Sequence, residues 1–466
     1  MSQVHAFSDD AMGTLDASGL AEEIRQRRLA PDEVIDAAQR RLAMMEPHVS
    51  AVAARHPSPL SVGRPGAVFA SVPTFIKDNL DLEGLPTCLG SEAIRASPAK
   101  RNDPFVEQFL SLGFVPLGKS RMPEFGLNAS TEYRNGPPTR NPWHLEYSAG
   151  ASSGGAAALV ASGVVAIAHA NDGGGSIRIP AASCGLVGLK PSRGRLIASR
   201  AARALPIDLI GEGVLTRSVR DTATFLYGAE QNYYNPKLPR LGQVSAPLRQ
   251  RLRIAMIEDL PTGVVVAADV RESLWDVARL LESMGHKVEE LVASPVPPTF
   301  AEDFTLYWGL LAWAASQFAK LRMGSQFDGE QLDELTKGLA GVFKRNAHRT
   351  PNALYRLRQS RDYFTKMTAG YDVILSPVLA HATPKLGYLK PDQQFEELFE
   401  RLRSYVGFTP LNNVTGTPAL SLPLGRSSAG LPLGIHFSAP WGAERLLLEL
   451  AFALEEARPW RHLYHS

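Results

Sequence analysis

The chain has 466 residues, which is too many for one ordinary core, so one large domain or two smaller ones are expected. Its 44% hydrophobic and 21% charged content is ordinary for a globular protein, and a formal net charge of +2 favours neither nucleic acid nor an anionic membrane surface. Two cysteines, Cys88 and Cys184, exclude a disulfide framework and a cysteine-based metal site. The first twenty residues carry Asp9, Asp10 and Asp16 and no apolar core, so no signal peptide is expected. The longest apolar run, residues 156–170, is broken by Ser162, Gly163 and His169 and is too short to span a bilayer. A cytoplasmic, reduced setting is the expectation.

In chain order, residues 20–45 carry apolar positions at helical spacing (Leu20, Ile24; Val34, Ile35, Ala38, Leu42), and Pro31-Asp32-Glu33 opens the second of two surface helices. Residues 72–80, V-P-T-F-I-K-D-N-L, put Lys77 at the end of an apolar segment. Burial would favour its neutral amine and make it a base. From this stretch alone a surface lysine paired weakly with Asp78 is the stronger reading. Residues 105–121 read as helix then strand, separated by Gly113, and residues 135–143 are rich in proline turns.

The stretch 148–195 stands apart. Ser152 and Ser153 precede Gly154-Gly155 and a run of helix formers that Gly163 ends; residues 164–170 then read as a buried strand. A helix of about ten residues climbs ~15 Å and the strand returns ~20 Å, so Ser152 and Ser176 meet at one end of the layer if the two run antiparallel. Gly173-Gly174-Gly175 leaves backbone N–H groups unobstructed beside Ser176, the minimum for a nucleophile with an oxyanion hole, although most glycine-rich loops are structural.

Beyond it, a helix is expected around 219–227, a proline-rich linker-like stretch at 231–250, and a parallel βαβ unit from a strand at 252–257, a helix opened by Asp269 and stopped by Gly285, and a strand at 286–291. Residues 299–370 are mainly helical, with Phe304, Tyr307, Trp308, Trp313 and Phe318 read as core before substrate wall. Strands are expected at 371–377, 412–424 and 433–438, and a helix at 444–455.

Rival chemistries fail on context. Gly150 to Gly154 matches G-x-S-x-G, but residues 143–148 make a poor strand to precede a nucleophile elbow. His169 reads as a satisfied core histidine. Ser97 to Lys100 matches S-x-x-K without its companion motifs. There is no H-E-x-x-H, Walker A or G-x-G-x-x-G opening a helix, so no metal and no cofactor is expected. Lys77, Ser152 and Ser176 remain, and a hydroxyl that both donates and accepts can link the other two.

These residues resemble the amidase signature family. The likeness runs through V-P-T-F-I-K-D-N-L-D around Lys77, G-K-S-R-M-P-E-F-G from Gly118, T-R-N-P-W from Thr139, S-S-G-G at Ser152, D-G-G-G-S-I-R-I-P at Asp172, C-G-L-V-G-L-K-P from Cys184 and the C-terminal T-G-T-P-A-L-S-L-P and G-L-P-L-G-I, nearly the whole chain. The H-x-N-D-x-x-G-S-I-R-I-P form and the L-E-x-A-x-P-W ending are similar to 6-aminohexanoate cyclic dimer hydrolases. The resemblance implies an α/β fold with a large mixed β-sheet between layers of α-helices. It implies one domain over 1–466, comprising N-terminal helices (1–65), a catalytic core (66–230), the linker-like stretch (231–250), a βαβ and helical substrate side (251–370) and C-terminal strands and helix (371–466).

It also implies a serine amidohydrolase working through an acyl-enzyme. Ser176 matches the nucleophile, Ser152 the serine that follows an unusual cis peptide, and Lys77 the base. Gly173, Gly174, Gly175 and Ser176 supply the oxyanion hole, and Asp172, Arg178 and Ser153 support them. Asn171, Gly173, Ala149 and Ala151 depart from the commoner pattern, without removing a triad member. The expected partner is a small or apolar amide, linear or cyclic, with no nucleic acid and no membrane; a homodimer is left open. An esterase or acyl transferase on the same residues, or an amidotransferase subunit in a complex, are the alternatives. Pocket residues are expected from 120–143, 299–318 and 408–414.

Overall fold

The computed structural model describes residues 3–56, 63–64, 66–259, 264–291 and 294–465. Its strands in chain order are β1 (Val52–Arg55), β2 (Pro73–Lys77), β3 (Val115–Ser120), β4 (Arg140–Asn141), β5 (His144–Ser148), β6 (Ile167–Asp172), β7 (Val187–Lys190), β8 (Gly211–Thr216), β9 (Arg253–Met256), β10 (Lys287–Glu290), β11 (Val373–Pro377), β12 (Ala419–Arg426) and β13 (Pro432–Ser438). Eight of them form one mixed sheet in the order β10-β9-β11-β13-β12-β7-β8-β6, parallel at its β10-β9-β11 end and antiparallel elsewhere. Strands β7, β11 and β13 are buried throughout their length, as strands covered on both faces must be. Helices cover the sheet, among them Arg178–Cys184 over β7, β12 and β13, and Ala268–Ser283 over β10 to β13.

A smaller sheet, β1-β3-β2, stands beside the β6 edge. The Thr74 hydroxyl donates to the Ile167 carbonyl at 2.9 Å, and the Lys77 backbone N–H donates to His169 Nδ1 at 3.1 Å. The two sheets are thus joined by side chains where a backbone ladder would otherwise run.

The βαβ unit is present, with Lys287 opposite Arg253 in parallel register. Two expectations are corrected. Residues 144–148 do form a strand, because β5 folds back on β4 and the Ser148 N–H reaches the Pro384 carbonyl; pairing supplies what composition lacks. Residues 410–415 form a helix, Pro410–Thr415, and the strand begins only at Ala419. Proline in its first turn and Gly416 in the left-handed region after it are helix boundary signals that outweigh β-branched Val414 and Thr415. Residues 233–250 contain no helix or strand, yet Leu238, Leu241 and Val244 are buried, and Glu230 accepts the N–H groups of Leu241 and Gly242. Among the described residues no helix is long and apolar enough to cross a membrane.

Candidate active site

Lys77 ends β2 and is fully buried. Its Nζ lies 2.7 Å from Ser152 Oγ, 2.9 Å from Ser153 Oγ and 2.6 Å from Asn171 Oδ1. All three neighbours are uncharged, so burial dominates and draws the amine down to about 7, against the more distant pull of Glu212 and Asp172. The surface pairing with Asp78 does not occur. Asp78 faces the other way and binds Lys119 at 2.8 Å, as alternation at the end of a strand requires.

Ser152 follows a cis Ala151–Ser152 peptide bond and Ser153 precedes the helix Gly154–Ala161. The Ser153 hydroxyl also reaches the Asn171 carbonyl at 3.3 Å, which shows that the helix and β6 run back on one another. Glycine is required after the serines because of close approach: a Cβ on Gly154 would sit 2.3 Å from Thr131 Oγ1, and one on Gly155 would sit 2.5 Å from the Arg121 nitrogen. A Cβ on Gly126 would lie 3.1 Å from Ser152 Oγ, so residues 124–126 form one wall around that hydroxyl.

Ser176 sits on the turn between β6 and the helix Arg178–Cys184 and is 9% exposed. Asp172 shapes that turn. Its carboxylate accepts the N–H of Gly175 at 2.7 Å and of Ile177 at 3.2 Å, and it is bridged by Arg178 Nε and Nη2, each at 2.9 Å. Burial alone would raise the Asp172 carboxyl; the Arg178 guanidinium overrides it and holds the group well below the usual carboxylate range. Arg178 is tied in turn to Asn413 Oδ1 at 2.7 Å and His436 Nε2 at 3.0 Å, and burial followed by the Arg178 charge keeps His436 neutral.

The structure therefore gathers Lys77, Ser152 and Ser153 into one hydrogen-bonded cluster and Asp172 and Arg178 into a second, with Ser176 on the turn that the second shapes. Among the described residues no group hydrogen-bonds the Ser176 hydroxyl, and none joins it to Ser152. Of the glycine run, the Gly175 N–H is committed to Asp172, which leaves those of Gly173, Gly174 and Ser176 as donors. Sequence reasoning expected pocket residues from 408–414 without naming one; those that reach the site are Thr409, whose hydroxyl donates to the Gly174 carbonyl at 2.6 Å, and Asn412 and Asn413, whose side-chain oxygens accept from Arg178. A strand from residue 412, the expectation for this segment, would point Asn412 and Asn413 to opposite faces, whereas the helix Pro410–Thr415 lets both reach Arg178. Each segment expected to supply a pocket approaches the site: Gly126 from the first, Phe304, whose ring would meet a Cβ on Gly174 at 3.7 Å, from the second, and Thr409 from the third. Among the described residues no group of three or more His, Cys, Asp and Glu side chains is arranged to hold a metal ion.

The family model described as Amidase matches residues 32–448. The curated protein named "Putative amidase AmiC" of Mycobacterium leprae (strain TN) is 49% identical over 466 residues, covering 99% of each chain. A 6-aminohexanoate-cyclic-dimer hydrolase of Pseudomonas sp. (strain NK87) is 30% identical over 479 residues, covering 96% of this chain and 95% of that one. A solved structure of 6-aminohexanoate cyclic dimer hydrolase complexed with substrate superposes with a TM-score of 0.84 at 27% identity, covering 96% of this chain and 97% of that chain. The chain belongs to the Amidase family. It is an amide-hydrolysing enzyme on the family's mixed α/β fold.

Proposed function

We propose that this amidase works through an acyl-enzyme on Ser176, with Ser152 as relay and Lys77 as base. The observation that carries the reading is the 2.7 Å contact between Lys77 Nζ and Ser152 Oγ in a buried pocket where the amine is held near 7. A neutral amine has a lone pair to receive the Ser152 proton, while Ser152 accepts that of Ser176. Ser176 Oγ then attacks the amide carbonyl, and the oxyanion faces the N–H groups of Gly173, Gly174 and Ser176. The relay returns the proton to the leaving nitrogen, the C–N bond breaks, and an ester to Ser176 remains. Water, deprotonated through the same relay, attacks that ester, and the carboxylic acid and Ser176 hydroxyl are released.

The substrate is a small or apolar uncharged amide, linear or cyclic, bound with no nucleic acid and no membrane surface. Phe300, Phe304 and Trp308 form a chain of ring contacts that passes Gly174, and Phe399 continues it. The named activity of the cyclic-dimer hydrolase relatives supports the same class. Mass spectrometry of protein quenched during turnover is expected to find the acyl group on Ser176. Ser176→Ala is expected to abolish hydrolysis of every amide and matched ester, and turnover retained by that variant would reject the assignment. Esters cleaved orders of magnitude faster than their amides would replace the amide substrate with an ester one.

A further inference from the structure

His169 lies behind Lys77, bonded to its backbone N–H, and Glu212 lies behind His169. His169 is on β6, two residues before Asn171, so the two project from the same face of the strand. Asn171 takes the Lys77 Nζ and His169 takes its backbone N–H through Nδ1. That bond leaves the lone pair on Nδ1 and the proton on Nε2, which donates to Glu212 Oε2 at 3.1 Å. Glu212 is opposite Asn171 in the β6–β8 register and therefore shares the face. Both side chains are buried, 0% and 2% exposed. The rings of Phe105 and Phe109 pack against His169. Glu212 Oε1 has no partner among the described residues, an unusual state for a buried carboxylate.

We propose that His169 and Glu212 are a positioning pair for the base: His169 fixes the end of β2 and Glu212 supplies the buried negative charge that Lys77 faces when it is an ammonium ion. This rests on the reading of Lys77 as the base. The charged groups around the pair are Asp172 at the end of β6, Asp103 before the helix Pro104–Leu110 and Asp208 before β8; none of them touches Nζ. Burial keeps His169 neutral despite Glu212, so the negative charge is not cancelled by an imidazolium. Lys77 becomes cationic each time it takes the relay proton, and Glu212 stabilises that state.

The test compares kcat/KM against pH for the wild type and Glu212→Gln. The glutamine keeps an acceptor for His169 Nε2–H and removes the charge. The acidic limb is expected to move about one pH unit lower, since the ammonium form loses its support, while the plateau stays within about tenfold. A limb that stays in place, whether or not the plateau falls, overturns the proposal by reducing the pair to packing. If the variant does not fold, 15N imidazole spectra of the wild type decide. They are expected to show one histidine as the neutral Nε2–H tautomer at neutral pH, and an Nδ1–H or charged ring there overturns the proposal. Failure here is separable from failure of the acyl-enzyme reading, which the Ser176→Ala variant addresses alone.

Discussion

The Lys77 amine depends on what surrounds it more than on what it is. Two hydroxyls and an amide oxygen satisfy Nζ without supplying charge, and this sets its protonation near neutrality. The sign for activity follows. Below about 7 the ammonium form dominates and has no lone pair for the relay proton, so kcat/KM is expected to fall with pH through that region. A pH–rate profile checks this, and a rate that is flat down to pH ~5 would contradict it. Lys77→Met, of similar length, is expected to lose about 10²- to 10⁴-fold in kcat/KM with the fold retained by circular dichroism.

At the scale of elements, the site is built from turns whose glycines answer to particular neighbours. Gly126 has φ +71° and Gly175 φ +135°, so both sit where side chains are disfavoured. They differ in what a methyl would strike. On Gly175 it meets Thr409 Oγ1 at 2.4 Å and Ile179 Cδ1 at 2.7 Å, inside a packed turn. On Gly126 it meets Ser152 Oγ at 3.1 Å and the end of the Met122 side chain at 3.3 Å. Gly175→Ala is therefore expected to cost about 1–3 kcal/mol in urea unfolding as well as activity. Gly126→Ala is expected to cost about 1–2 kcal/mol from its backbone alone, with at least about tenfold lower kcat because Ser152 is pushed. Equal kcat for Gly126→Ala and wild type would show that this wall does not bear on the relay.

Across the whole molecule, distant segments are locked by buried charge. Arg195, just past β7, meets Glu444 of the helix Glu444–Ala457 at 2.7 Å and Glu230 at 3.3 Å, and Glu444 also accepts the Ser192 N–H. Burial would raise the Glu444 carboxyl; Arg195 outweighs it and the group is lowered. A carboxyl lowered by folding contributes stability above its unfolded value, near 4.3, and loses it as pH falls through the folded value. Glu444→Gln is expected to destabilise by about 3 kcal/mol at neutral pH, with Glu230 left to compensate part of the Arg195 charge. The gap from wild type should close in acid unfolding below about pH 4. A constant gap across pH would assign the loss to packing.

Local pattern was enough for much of this protein. The two N-terminal helices, the βαβ unit, the helical region after residue 299 and the serine–glycine motifs are written in periodicity, capping residues and turn chemistry, which act over a few neighbours. The resemblance to the amidase signature family was legible for the same reason, since its motifs are short and contiguous. Composition could not tell that residues 144–148 would find a strand partner, that the helix Pro410–Thr415 would present Asn412 and Asn413 to Arg178, or that Lys77 would be buried with Asp78 turned to Lys119. The Pro384 partner of Ser148 and the Asn413 partner of Arg178 lie more than 200 residues away along the chain, and the Lys119 partner of Asp78 lies 41 away. Burial and the field at a buried amine are properties of the assembled surroundings, and no window of sequence contains them.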